Sequence, residues 1–250
     1  MTKTLRNNEL GILSFGTDSS PYGIAIPPKS KFNLKTYCFK DCTNQMLENE
    51  NITLFSALPH THLTGFEVWT KMIRNEVDIG YLFRNKYYDF NYQNNYLLDP
   101  RFTIQKGDEF ITECSYDTKN RTNFTLGGLG TDKEMCLHFF SYYPRRVGLK
   151  ACWSMPSIKE YENFMLNLNK SGDVNIKNLY DPYELDLATD ELFDQLNANR
   201  NKMSLKKKFE KFYNETNVHM MCNEFNEKVY SQLKPKESIK YVDKCGRPDN

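Results

Sequence analysis

The chain has 250 residues, with 33 Lys and Arg against 32 Asp and Glu and a formal net charge of +1. That balance leaves no global field to draw in nucleic acid or an anionic membrane surface. Hydrophobic residues at 39% and charged residues at 26% suit a globular chain with a proper core, and no run approaches the roughly 20 apolar residues of a membrane-crossing helix.

Up to about Pro144 the pattern is β. Gly11–Phe15, Tyr22–Ile26, Phe32–Phe39, Glu67–Arg74, Glu109–Ser115 and Cys136–Tyr143 are short runs rich in β-branched and aromatic residues. Pro, Gly, Asn and Asp separate them, which predicts an antiparallel sandwich or jelly roll. Gly127-Gly128-Leu129-Gly130 predicts a tight turn or a close backbone approach. It lacks the strand-then-helix setting and the spacing of a phosphate loop.

Beyond Cys152 the period changes. Ser157–Leu168, Asp186–Arg200 and Ser204–Tyr213 read as helices, the first opened by Pro156 and Ser157, the last carrying Leu205, Phe209 and Phe212 at helical spacing. Lys206-Lys207-Lys208 reads as a solvated helix face, because Glu210 and Glu215 follow. Gly246–Asn250 reads as a frayed tail. The expected architecture is all-β: an antiparallel jelly-roll sandwich over residues 1–153, with a mostly helical extension over 154–250.

The seven cysteines, Cys38, Cys42, Cys114, Cys136, Cys152, Cys222 and Cys245, include no C-x-x-C pair. A zinc ribbon is therefore not indicated, and the wide spacing suits disulfides in an oxidising compartment. An odd count leaves one thiol over, free or joined to another chain. Asn51-Ile52-Thr53, Asn120-Arg121-Thr122, Asn123-Phe124-Thr125, Asn169-Lys170-Ser171 and Asn214-Glu215-Thr216 all fit the N-glycosylation pattern. The residues from Met1 to Glu9 contain no apolar run of the kind an export signal needs. A secreted-looking body without such a signal predicts that an upstream part is missing.

The sharpest local feature is Leu58-Pro59-His60-Thr61-His62-Leu63-Thr64-Gly65. On a strand, side chains two apart share a face, so His60 and His62 can chelate one ion. Imidazole suits copper, zinc, iron or nickel, and a surface or structural pair fits the spacing equally well. Met135 would select copper if it joined them, since a thioether is a soft ligand. Nothing in the periodicity places it there, and a core filler is the ordinary role of a single Met.

Taken together, several segments resemble the copper type II, ascorbate-dependent monooxygenases. They are Ala25-Ile-Pro-Pro-Lys29, Tyr37-Cys38 with Cys42-Thr43, His60-Thr-His-Leu-Thr-Gly65, and Gly107-Asp108 through Cys114 and Tyr116. Gly127-Gly-Leu-Gly130, Glu134-Met-Cys136 and Tyr142-Tyr-Pro144 continue the match, with His219-Met-Met-Cys222-Asn223 as a weaker one. The Cys42 and Cys222 positions place the likeness with the amine-hydroxylase branch rather than the peptide branch.

The resemblance implies one copper held by His60, His62 and Met135, with oxygen activated there and a phenolic or catecholic ethylamine as substrate. No residue is assigned a separate acid or base role. It also implies disulfides Cys114–Cys136, Cys38–Cys152 and Cys42–Cys222, leaving Cys245 to join subunits or stay free. Ascorbate would supply electrons through a preceding domain with three histidine ligands. This chain has four histidines in all, His60, His62, His138 and His219, so that domain is expected to lie outside it, together with any membrane or vesicle association. The expectation is a piece of a larger secretory or extracellular enzyme. Two positions depart from the family's habit and bear on substrate preference. Phe66 stands where a basic residue often follows Thr-Gly, and Phe139 stands where Tyr is usual.

The competing readings are a non-catalytic copper-binding or partner-binding sandwich, and a purely structural secreted domain. His138 is weighed as a fourth ligand against a hydrogen-bonded core histidine, and His219 as a ligand against packing or helix capping. Tyr87-Tyr88 and Tyr142-Tyr143 could line an amine pocket, although core filling is the default for aromatics in a sandwich. No Gly-x-Ser-x-Gly elbow supports serine catalysis.

Overall fold

The computed structural model describes residues 7–47, 50–172, 193–198 and 203–236. Among these the strands are β1 (Gly11–Gly16), β2 (Ala25–Ile26), β3 (Lys31–Cys38), β4 (Ile52–His60), β5 (Gly65–Arg74), β6 (Val77–Asn85) and β7 (Tyr96–Ile104). They continue with β8 (Glu109–Asp117), β9 (Thr125–Leu126), β10 (Leu137–Tyr143), β11 (Ala151–Pro156), β12 (Val218–Cys222) and β13 (Glu224–Tyr230). The helices are α1 (Lys40–Met46), α2 (Ile158–Lys170) and α3 (Met203–Glu215), and residues 193–198 are also helical.

The chain is mostly β. One sheet has the order β13-β12-β11-β1-β10-β4-β7, a second β3-β8-β5-β6, and β2 pairs with β9. In β3, Phe32, Leu34 and Thr36 point inward while Lys31, Asn33 and Lys35 face solvent, the alternation of a half-buried strand. Leu13, Phe15, Leu54, Ala57 and Phe140 of the large sheet share a core with Met72, Leu82 and Phe110 of the smaller one. Phe15 stacks on Phe110 across that core, ring centroids 4.4 Å apart. A second core packs Tyr161 and Met165 of α2 and Leu205, Phe209 and Tyr213 of α3 against Ile24, Phe32 and Leu34.

Two features differ from the sequence expectation. Pairing is not wholly antiparallel, because β1 and β11 run parallel with Ser14 opposite Ala151. β10 and β11 flank β1 on opposite sides. The chain reverses once between them, so one must be antiparallel to β1 and the other parallel. The C-terminal segment is also not simply helical. β12 joins β11 with Cys222 opposite Cys152, and β13 pairs with β12. Val218, Met220 and Cys222 are buried alternately, a period of two over too few residues to stand out beside the helical runs. His219 therefore sits in β12, not at a helix end. Most of Asp186–Arg200, and Cys245 with the tail Gly246–Asn250, fall outside the described residues.

The disulfides are those implied by the resemblance. Cys38–Cys152 ties β3 to β11 and so one sheet to the other, Cys42–Cys222 ties α1 to β12, and Cys114–Cys136 ties β8 to the residue before β10. No described helix is long and apolar enough to cross a membrane.

His138 is a core histidine. It is fully buried in β10 with Nδ1 2.8 Å from Thr70 Oγ1, and its strand partner is Pro59 rather than His60. Burial drives its pKa from 6.5 down to about 3. Between those values the unfolded chain binds a proton that the native state refuses, so stability is lost as the pH falls through the window. The slope is about 1.4 kcal/mol per pH unit for one proton. Denaturant titrations of His138→Gln and wild type across this acid range are expected to differ by that slope. Parallel curves would show that the acid sensitivity resides elsewhere.

Candidate metal centre

β4 ends at His60, and residues 61–64 turn the chain into β5. The two histidines thus do not share a strand face as the period-of-two reading has it: His60 closes the strand and His62 lies in the turn. They meet all the same, rings edge to face with centroids 5.3 Å apart. The turn is tightly built. A Cβ on Gly65 would run into the Thr61 hydroxyl, so glycine is needed there for space. Tyr88 Oη donates to the Thr61 carbonyl at 2.6 Å and accepts from the Thr61 N–H at 3.1 Å, holding the residue between the histidines.

Glu134 clamps the other half of the turn. Its carboxylate, wholly buried, accepts from the His62 N–H at 2.8 Å, the Thr64 N–H at 2.7 Å and the Thr64 hydroxyl at 2.7 Å. Burial pushes its pKa up, and the hydrogen bonds from Thr64 and His62 offset only part of that rise.

Each imidazole is held through Nδ1. His60 Nδ1 lies 2.6 Å from Gln93 Oε1, and His62 Nδ1 lies 3.1 Å from the Lys133 carbonyl. Gln93 Nε2 donates to the Phe90 carbonyl at 3.0 Å, which fixes its amide so that the oxygen faces His60. Both acceptors are oxygens without a hydrogen, so each Nδ1 is the donor, and a neutral ring held this way would carry its lone pair on Nε2. Among the described residues neither Nε2 takes part in a hydrogen bond, and His62 is buried while His60 is half-buried. Burial lowers the pKa of His60, with neighbouring His62 adding to the effect and Gln93 opposing it. A neutral ring is the form that ligates.

Met135 is half-buried between Glu134 and Cys136. Its carbonyl accepts from Tyr116 Oη at 2.8 Å, and Cys136 is bonded to Cys114 of β8. Leu137 pairs with His60 in the β4–β10 ladder, while Lys133 and Glu134 touch His62. The backbone of Met135 therefore runs beside the histidine turn, fixed on both sides. Among the described residues no Cys, Asp or Glu joins the two histidines in a three-ligand cluster; Cys38, Cys42 and Cys152 form one, and their sulfurs are engaged in disulfides. Two imidazoles, with a methionine on the backbone segment beside them, are donor types that suit copper, Cu(I) above all.

The other candidates lie elsewhere. Tyr142 is buried and donates to the carbonyls of Arg146 and Leu149, Tyr143 contacts Arg101, and Tyr87 is exposed, so neither tyrosine pair builds a shared pocket. Phe139 stands 6.3 Å from the His60 ring and Phe90 5.9 Å from that of His62. Phe66 faces away, under the Lys31 ammonium at 5.6 Å. Sequence reasoning gave no role to the supporting groups, Gln93, Glu134 and the Lys133 carbonyl, although Glu134 stood in the Glu134-Met-Cys136 segment. A charged residue next to Met135 was the one visible signal among them.

Residues 8–165 match the family model described as copper type II ascorbate-dependent monooxygenase, C-terminal domain. Dopamine beta-hydroxylase of Rattus norvegicus is 35% identical over 70% of this chain and 28% of its own length. Tyramine beta-hydroxylase of Caenorhabditis briggsae is 36% identical over 58% of the chain and 24% of its own. DBH-like monooxygenase protein 1 of Homo sapiens is 33% identical over 72% and 28%. The chain thus spans about a quarter of the length of these relatives.

Proposed function

Because the chain belongs to the copper type II ascorbate-dependent monooxygenase family, matching its C-terminal domain, we propose that His60, His62 and Met135 hold one copper ion and that the chain serves as the oxygen-activating part of an amine hydroxylase. The observation that carries this reading is the arrangement of the imidazoles: the rings meet with centroids 5.3 Å apart and each Nδ1 is engaged by a carbonyl oxygen, which leaves Nε2 as the ring atom that could take a metal. Copper, when bound, supplies the one-electron chemistry that dioxygen needs.

The chain's own residues set the conditions. Gln93 and the Lys133 carbonyl fix the ring tautomers and orientations, the role outer partners play at metal sites. Glu134 holds the turn in shape, and the Cys114–Cys136 bond restrains the strand that carries the thioether. His62 is buried and His60 half-buried, which limits water at the ring nitrogens. The chain would offer the ion two nitrogens and one sulfur, a soft set suited to copper.

The substrate proposed is a phenolic or catecholic ethylamine, in keeping with the dopamine and tyramine hydroxylases among the relatives. Phe139 beside His60 is a candidate for tuning that preference. Ascorbate would reduce the centre through a companion copper domain, since His138 and His219 are the only histidines left over. Three disulfides and the sequons support passage through the secretory pathway, to a vesicle lumen or the extracellular space. Residues 1–153 would carry the copper-binding part of the sandwich, and 154–250 an extension that adds β12 and β13 to its large sheet, with Cys245 available to join subunits.

A Cu(I) titration tests the site. One equivalent per chain is expected. Met135→Ala and Gln93→Leu should each weaken binding by roughly 10–100-fold, the usual cost of disturbing a metal site's supports. Unchanged affinity in Met135→Ala would remove that residue from the set. Copper binding without ascorbate-dependent hydroxylation of tyramine, assayed with the companion domain supplied, would favour a non-catalytic copper-binding paralogue.

A further inference from the structure

Asn214 stands one residue from the end of α3, in the sequon Asn214-Glu215-Thr216, with its side chain exposed. The position is not an isolated piece of surface. Asn214 lines an open cavity of ≈ 550 Å³ together with Lys31, Phe66, Trp69, Arg84 and Glu113, on the outer face of the smaller sheet. This face is opposite to the one Val68 and Thr70 turn into the interior.

The walls are already held in place. Trp69 Nε1–H donates to the buried Glu113 carboxylate at 3.1 Å, which fixes the indole plane. Arg84 pairs with Glu67 at 2.6 Å and lies 5.0 Å from the Tyr81 ring centre. Lys31 sits 5.6 Å over the Phe66 ring. Two aromatic rings bordered by fixed charged groups and amides suit a pyranose, whose C–H face packs on aromatics while its hydroxyls need donors and acceptors.

We propose that Asn214 is N-glycosylated and that the first sugars of its glycan lie in this cavity against Phe66 and Trp69. The inference rests on the secretory reading above. A tethered ligand is favoured here over a free one, because the attachment point is itself part of the wall. Tethering gives an effective concentration in the millimolar range, so an open cavity with modest contacts suffices. The preorganised walls lower the ordering cost further.

The test expresses the full chain behind an export signal in a glycosylating eukaryotic host, as wild type, Trp69→Ala and Phe66→Ala. Glycopeptides are mapped by mass spectrometry, and the native proteins are timed against an endoglycosidase. Asn214 is expected to be occupied in all three. Its wild-type glycan should be released about tenfold more slowly than that of either variant, the protection expected of one aromatic packing contact. Release at equal rates from the native proteins would overturn the seating. If Asn51, Asn120, Asn123 or Asn169 carries glycan while Asn214 does not, the inference falls and the secretory reading is untouched. If no sequon is occupied, the inference falls as well; the secretory reading falls separately if Cys38–Cys152, Cys42–Cys222 and Cys114–Cys136 are found reduced in the exported protein.

Discussion

Glu134→Ala is expected to destabilise the protein by about 3–5 kcal/mol and to weaken copper binding at the same time. The carboxylate is the shared acceptor for the His62 N–H, the Thr64 N–H and the Thr64 hydroxyl. Its removal leaves those donors without their partner in a buried place. Each unsatisfied buried group costs about 1–3 kcal/mol, and entry of water into the vacated space would offset part of the sum. Loss of the clamp also frees the turn that carries His62, which predicts a fall in copper affinity of roughly 10–100-fold. Glu134→Gln separates the two effects. It keeps the shape and one acceptor oxygen, so most of the stability should survive. The amide nitrogen, however, must face a backbone N–H, and the turn should still shift. Denaturant unfolding and a Cu(I) titration on both variants read the two losses. Wild-type copper affinity in Glu134→Ala would show that the turn keeps its shape unaided.

Much of this was legible in the residues, for reasons that differ from place to place. β1, β3, β5, β8 and β10 were visible because each has a long inward face and flanking turn residues. β7 was not. Its burial pattern is largely exposed and it contains Pro100, as suits the strand at the edge of the large sheet. β4 was hidden by Ser56 and Pro59, although it delivers His60. The α1 helix is too short at Lys40–Met46 to show a period. At the site, His60 and His62 announced themselves by type and spacing, yet the geometry that joins them is a turn. Met135 came from resemblance alone, because nothing local tells a ligand thioether from a core one. Gln93 was out of reach. It lies 33 residues from His60, and only the tertiary placement of the 90–93 turn against the end of β4 gives it a role.

The second large effect is expected from removing Cys42–Cys222 with Cys42→Ser and Cys222→Ser together. The bond closes a sequence separation of 180. Cys38–Cys152 is also closed, which shortens the effective loop, so the entropic gain is near the roughly 4–5 kcal/mol of a loop on the order of 100 residues. For a chain of this size that corresponds to a fall in Tm on the order of 10 °C. The β11–β12 ladder and the buried Val218 and Met220 remain, so the segment should open more readily without detaching outright. Limited proteolysis should then cut first within residues 203–236. Cys114→Ser with Cys136→Ser provides the contrast. That bond spans only 22 residues and is worth about 3 kcal/mol on the same argument, yet it borders Met135. The larger stability loss should therefore come with nearly unchanged copper affinity, and the smaller one with weakened affinity. Equal copper losses in the two pairs would mean that the centre depends on the global stability of the sandwich, and that the restraint on the Met135 strand has no separate role.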